Sequence, residues 1–300
     1  MRIAYAGTSS FGALVLKELL AAGQHSIALV ITRPDKPRGR HGTPQPSPVK
    51  QVAAAARVPV LQPDSLVGAA VQRLLVMRPD VLIVCAYGEV VKREVLDSVL
   101  SLVVHPSALP RWRGAAPVQR ALMAGETELG VAVLRMTAEV DAGPIGAART
   151  VTVPRDADAG EAFERLAPVA AEAVLEVLDG LARGTIEWRP QIGTPTYAEK
   201  LSREDRVIDW SRPAQEIVDR VRALSPDIGA RAELCGRDVI VWKAAALDTM
   251  PEPTARRLVD RLVVPAGQGY VEILELQLPG GRRQPAASFL RGAGRWLVER

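Results

Sequence analysis

Short, almost uninterrupted apolar runs alternate with segments whose apolar residues recur every three or four positions over the first 138 residues. The runs RIAYAG (2–7), SIALVIT (26–32), VPVLQP (58–63), DVLIVCAY (80–87), LSLVVH (100–105) and GVAVLRMTA (130–138) read as strands. A strand apolar on both faces must be covered on both faces. The intervening segments supply the cover, reading as helices over 11–23, 47–57, 65–78, 89–99 and 115–125. The pattern predicts an α/β domain around a mostly parallel sheet. In such a sheet ligands bind beyond the carboxyl ends of the strands.

The pattern changes after residue 153. A long amphipathic helix is predicted over 159–184, followed by a polar stretch with two prolines and no clean period. Residues 1–188 therefore read as one domain, 189–205 as a linker and 206–300 as a second domain. In the second domain a helix over 213–226 precedes short strands broken by Gly and Pro, the mark of a small antiparallel barrel. The two cysteines show no spacing suited to a disulfide framework or a metal site, so no metal is expected. The first residues read as a strand and no apolar run is long enough to span a membrane, so no leader and no membrane segment are expected. A reducing cytoplasmic compartment and no membrane partner are the expectation. Net charge is +4, and residues 206–300, with 15 basic and 12 acidic side chains, carry +3 of it. That surplus suits an anionic partner or simply an arginine-rich surface.

Three segments fall at predicted strand ends. AGTSSFG has Gly7 and Gly12, not the three closely spaced glycines of a dinucleotide loop, so Gly7 reads as a tight strand-to-helix turn. VHPSALPRWRGAAP puts one of only three histidines, His105, at the end of its strand, followed by Pro106, Pro110, Trp112 and two arginines. Prolines fix the backbone there, and Gly114 allows close approach. EVDAGPIG places Asp141 in a turn, where it either bonds to its own turn or orients an imidazole.

HPSALPRWRGAAPVQRALMAG, with VDAGPIG so placed that Asp141 follows His105 by 36 residues, resembles the folate-dependent formyltransferases. YAGTSSFG (5–12), the basic loop TRPDKPRGRHGTPQPSPVK (32–50), AYG (86–88), TYAEKLSREDRVIDW (196–210) and LELQLPGGRRQPAASFLRG (274–292) extend the resemblance over essentially the whole chain. It implies a Rossmann-like domain followed by an OB-type β-barrel. It implies 10-formyltetrahydrofolate as co-substrate, and as acceptor the α-amine of methionine esterified to initiator tRNA. DNA is not an expected partner, and a monomer is expected. His105 and Asp141 would be catalytic: transfer needs donors for charge on the formyl oxygen and a group that moves a proton from amine to folate. Ser107, Ala108, Leu109 and Pro110 would line the folate site, with Ala108 where the family usually has Leu. Tyr87 and Gly88 would lie near the pterin. Arg40, supported by Arg38 and Lys36, would help position the tRNA acceptor end.

At one position the chain departs from the family. The family has Asn two residues before the histidine; here it is Val103, on the same strand face as His105. No shift of register restores the amide, because the chain contains no asparagine. Loss of one oxyanion donor costs about 2.7–4 kcal/mol in the barrier, so reduced transfer is expected. Two alternatives stay open: a protein that binds folate and tRNA with little turnover, and a formyltransferase acting on an amino sugar nucleotide.

Overall fold

The computed structural model describes residues 1–37, 43–251 and 261–294. Two compact units emerge. The first comprises residues 1–114, 128–151 and 163–197; the second comprises 115–127, 152–162 and the residues from 198 onward.

The chain begins with β1 (Arg2–Gly7), α1 (Ser10–Ala22), β2 (Ser26–Ile31), β3 (Lys36–Pro37), β4 (Pro44–Gln45), α2 (Pro48–Ala55) and β5 (Val60–Leu61). It continues through α3 (Ala69–Val76), β6 (Val81–Cys85), α4 (Arg93–Leu96), β7 (Ser101–His105) and β8 (Arg113–Gly114). After α5 (Pro117–Met123) come β9 (Glu128–Arg135), β10 (Ile145–Thr152), α6 (Ala159–Arg183) and β11 (Tyr197–Ala198). Seven strands form one sheet in the order β10-β9-β7-β6-β1-β2-β5. β1 pairs in parallel with β2 and β6, and β6 with β7, whereas β9 runs antiparallel to β7. The strand order reverses between β1 and β6, which opens the crevice expected of a doubly wound sheet.

Local chemistry explains the boundaries. Ser9 caps α1 by accepting from the Gly12 amide, and Gly23 ends it at φ +63°. Ser47 caps α2 ahead of Pro48. A Cβ on Gly12 would lie 2.6 Å from the Cys85 carbonyl oxygen, so the first turn needs glycine for close packing of α1 on β6. The helix expected over 65–78 is shorter because Gly68 sits at φ +52°. The Glu94 carboxylate accepts its amide at 3.1 and 3.2 Å. The helix expected over 89–99 is reduced to one turn, since Lys92 is extended after two β-branched residues. Part of the polar stretch is ordered by an antiparallel bridge, Arg189 and Ile145 exchanging backbone bonds of 2.8 and 2.9 Å.

The second unit contains α7 (Ala214–Leu224), β12 (Ala230–Leu234), β13 (Arg237–Leu247), β14 (Leu262–Pro265), β15 (Tyr270–Gln277), β16 (Gln284–Pro285) and α8 (Ala286–Arg291). Its antiparallel sheet has the order β12-β13-β15-β14, with β16 added to β15. Register breaks around Lys243 let the long β13 bend, giving the curl of a small barrel. Ile217, Val221 and Leu224 of α7 pack with Val241, Ile273, Leu276 and Phe289 in its core.

Two ion pairs organise this unit. Asp219 and Arg222 are both almost fully buried; Arg222 Nε donates to Asp219 Oδ1 at 2.7 Å, and Arg155 donates to Oδ2 at 2.7 Å. Arg222 also donates from Nη2 to the carbonyls of Leu122 and Glu126 and from Nη1 to that of Ala157. The charges of Asp219 and Arg222 are thus paired and bonded, as burial demands. Asp219→Ala leaves a buried guanidinium without its carboxylate and is expected to cost about 3–5 kcal/mol in denaturant unfolding. A loss below about 1 kcal/mol would show that the pair is not a keystone.

The second pair titrates. Arg120 donates to both oxygens of Asp205, at 2.6 and 2.8 Å, and these bonds above all hold the carboxyl down at about 2. The folded value lies below the ordinary one of about 3.9. Its contribution is therefore present above pH ~4 and lost as the pH falls through about 2. Unfolding free energy measured against pH should fall less steeply in that window for Asp205→Asn than for the wild type.

Candidate active site

β7 is hydrogen-bonded on both edges, and its last residue, His105, pairs with Ala132 of β9. The ring is 5% exposed. Its Nε2 lies 2.8 Å from the Trp112 carbonyl oxygen, which can only accept. Its Nδ1 lies 3.4 Å from Asp141 Oδ2. Both ring nitrogens therefore face acceptors, and only the doubly protonated ring donates to both.

Asp141 Oδ2 also accepts the Gly114 amide at 2.9 Å. Asp141 has φ +51°, Trp112 +61° and Ala86 +48°, left-handed values that cost non-glycine residues about 1–3 kcal/mol each. Ala86 and Trp112 follow β6 and β7 at the carboxyl ends where ligands bind in such a sheet, whereas Asp141 follows β9, which runs antiparallel to β7, so its turn folds back to face His105. Gly114 has φ +117°, which explains why glycine stands there.

The loop behind the histidine closes on itself. Ser107 is buried; its hydroxyl donates to the Arg111 carbonyl at 2.7 Å and its amide to the His105 carbonyl at 2.9 Å. Ala108 is exposed, but a Cβ on Gly130 would lie 2.3 Å from its nitrogen, so this loop is seated directly on β9. Leu109 and Pro110 are half-buried, and the Pro110 carbonyl accepts the Thr196 amide at 3.2 Å. Tyr87 is buried, and its hydroxyl has no hydrogen-bond partner among the described residues. Burial, helped by the Glu89 charge, pushes this phenol up. Gly88 is exposed at φ +80°. Beside it Arg33 donates to the Gly88 carbonyl at 3.5 Å and pairs with Glu89 at 3.1 Å.

Val103 faces the same side of β7 as His105, opposite Val84 and Leu134, and packs on the apolar cluster that contains Tyr87. It offers no donor. Lys36 is exposed in the β3–β4 pair. That pair is rooted by Asp35, which accepts from Lys50 and Gln62 at 2.7 Å each. The Lys50 bond is the main reason the Asp35 carboxyl titrates low. Arg38 and Arg40 lie outside the described residues. Among those described, no group of three or more His, Cys, Asp or Glu could hold a metal ion, and no helix is long and apolar enough to cross a membrane.

His105, Asp141 and Gly114 thus meet, with Ser107 to Pro110 on the loop behind them. Sequence reasoning missed two backbone partners, the Gly114 amide and the Trp112 carbonyl, and one side chain, Gln191, which donates to the Asp141 carbonyl at 2.8 Å. Backbone groups carry no sequence signal, and Gln191 stands in a segment without period. Asp141→Ala removes the acceptor for Gly114 and the group facing Nδ1. Unfolding measurements should show a loss of about 1–3 kcal/mol; unchanged stability would mean that the carboxylate does not hold this loop.

The family model described as formyl transferase matches residues 1–178, and that described as formyl transferase, C-terminal domain, matches residues 200–294. The methionyl-tRNA formyltransferase of Chromobacterium violaceum is 41% identical over 298 residues, covering 97% of this chain and 96% of the relative. That of Bordetella pertussis is 41% identical over 311 residues, covering 97% and 99%. Among solved structures, HypX from Aquifex aeolicus in complex with tetrahydrofolic acid superposes with a TM-score of 0.68 at 22% identity, over 97% of this chain and 47% of that one. Methionyl-tRNA formyltransferase from Clostridium thermocellum gives 0.60 at 14% identity, over 82% and 93%. These structures share the fold; membership rests on the sequence matches, and by them this chain belongs to the formyl transferase family, alongside the methionyl-tRNA formyltransferases.

Proposed function

We propose that the chain transfers a formyl group from 10-formyltetrahydrofolate to the α-amine of methionyl initiator tRNA, as a cytoplasmic monomer. The observation that carries the reading is the buried His105 between the Trp112 carbonyl and the Asp141 carboxylate at the end of β7. The high coverage of the methionyl-tRNA formyltransferase relatives supports the tRNA as acceptor. We assign the chemistry to residues 1–188 and the grip on tRNA to residues 206–300, joined by 189–205.

The folate fits the residues present. The buried Tyr87 hydroxyl has no partner among the described residues, and a buried polar group without one marks a place for an outside ligand. Tyr87 and Gly88, with Ser107, Ala108, Leu109 and Pro110, would hold it. When bound, it supplies an electrophilic formyl carbon and a nitrogen leaving group. His105 holds a proton that can be passed on as the amine loses its own, and Asp141 keeps the ring oriented and balances its charge. The Gly114 amide in turn fixes the Asp141 carboxylate. Arg40, with Arg38 and Lys36, would position the acceptor end.

Val103 favours a second reading, a protein that binds both substrates with little turnover, because an apolar side chain stands where the family has a donor. A single-turnover formylation assay with methionyl initiator tRNA separates the two. Formyl transfer by the wild type supports the enzyme; binding of both substrates without transfer supports the alternative. Val103→Asn should raise the rate by roughly 10²–10³. It should also lower stability by about 1–3 kcal/mol, since the amide enters a partly apolar cluster. An unchanged rate would show that the missing amide does not limit this enzyme.

A further inference from the structure

We propose that Gln191 is a positioning residue that locks Asp141 in its orientation toward His105. The inference rests on the role proposed for that pair. Both amide hydrogens of Gln191 are used, one donated to the Asp141 carbonyl at 2.8 Å and one to the Gly143 carbonyl at 2.9 Å. Its oxygen accepts twice from Arg113, from Nε at 3.1 Å and Nη2 at 2.8 Å. A side-chain amide has two donors and two lone pairs, so this one is saturated.

Its partners are the two segments that form the site. Arg113 immediately precedes Gly114, whose amide donates to the Asp141 carboxylate. Asp141 and Gly143 belong to the turn that carries that carboxylate. Gln191 therefore braces both ends of the Gly114–Asp141 bond. The turn needs bracing. Asp141 stands at φ +51°, and a Cβ on Gly143 would come within 1.8 Å of the Arg135 carbonyl oxygen, so the turn lies pressed on the end of β9. Among the described residues the ionic partner of Arg113 is Glu139 at 3.4 Å, which is 73% exposed and holds it weakly. The residue after Gln191, Ile192, is 86% exposed and adds no buried apolar contact there. The contacts of Gln191 with the site are polar and directed.

Two substitutions separate positioning from plain structural support. Q191E keeps an acceptor for Arg113, now charged, but removes both donors and sets a carboxylate against two carbonyls. Q191L removes donors and acceptor together. Formyl transfer to methionyl-tRNA is measured in steady state. In parallel, the ¹⁵N resonances of the His105 imidazole, assigned by His105→Ala, report the Nδ1 contact with Asp141 in the protein without substrate. Positioning predicts that Q191E unfolds near the wild-type midpoint, that its kcat falls about tenfold or more with little change in KM, and that the His105 resonances move. A structural role alone predicts that Q191L loses stability while both variants, well below their unfolding temperatures, keep the wild-type resonances; that result overturns the proposal. So does wild-type kcat in Q191E with unmoved resonances. If the wild type itself transfers no formyl group, the function proposed above fails, and the resonances alone decide the role of Gln191.

Discussion

Double pairing of β7, in parallel to β6 and antiparallel to β9, fixes which side chain reaches the sheet edge. A slip of one residue would turn Val104 outward in place of His105 and send the apolar set of the strand to the wrong face. Fully buried neighbours on both sides, Leu82, Leu102, Val104 and Val133, make such a slip expensive. The histidine is therefore set by register before any of its own bonds form. The Trp112 carbonyl and the Asp141 carboxylate then fix its rotation, and the Gly114 amide fixes the carboxylate. Rigid strand, buried ring, braced partner: each level narrows what the next can do.

Much of this was legible in the sequence. Apolar runs marked six of the seven strands of the sheet, because strands covered on both faces need no alternation, whereas the largely exposed β10 has no such run. His105 and Asp141 stood out as chemistry-bearing residues at strand ends. Less legible was how far the helices extend, since Gly68 and the β-branched residues before α4 act through backbone conformation and through Glu94, which is distant in sequence. Gln191 was hidden for a similar reason: its partners lie 48 to 78 residues away, and no local pattern points across such a gap. Nor did sequence locality show that residues 115–127 and 152–162 cluster with the C-terminal residues.

That clustering has a polar basis as well as an apolar one. Arg222 reaches three carbonyls from those two early segments while its charge is balanced by Asp219 on its own helix. The Leu122 carbonyl at the end of α5 also accepts the Gly125 amide, and the buried guanidinium adds its bond there to those it makes with Glu126 and Ala157. The core of this unit, led by Val221 and Leu224 of α7, is built on the same helix. One helix thus serves two ends: an apolar face for the curled sheet and a charged face for segments that the sequence separates widely.

The two cysteines carry a different consequence. Cys85 lies buried at the end of β6, and burial pushes its thiol up to about 12. Thiolate is the reactive form, so oxidants and alkylating reagents find this sulfur both shielded and protonated. Cys235 is exposed, in the tight turn between β12 and β13. To a maleimide or a spin label the folded protein is thus a single-thiol molecule, and its one natural attachment point falls on the C-terminal sheet, remote in sequence from the histidine.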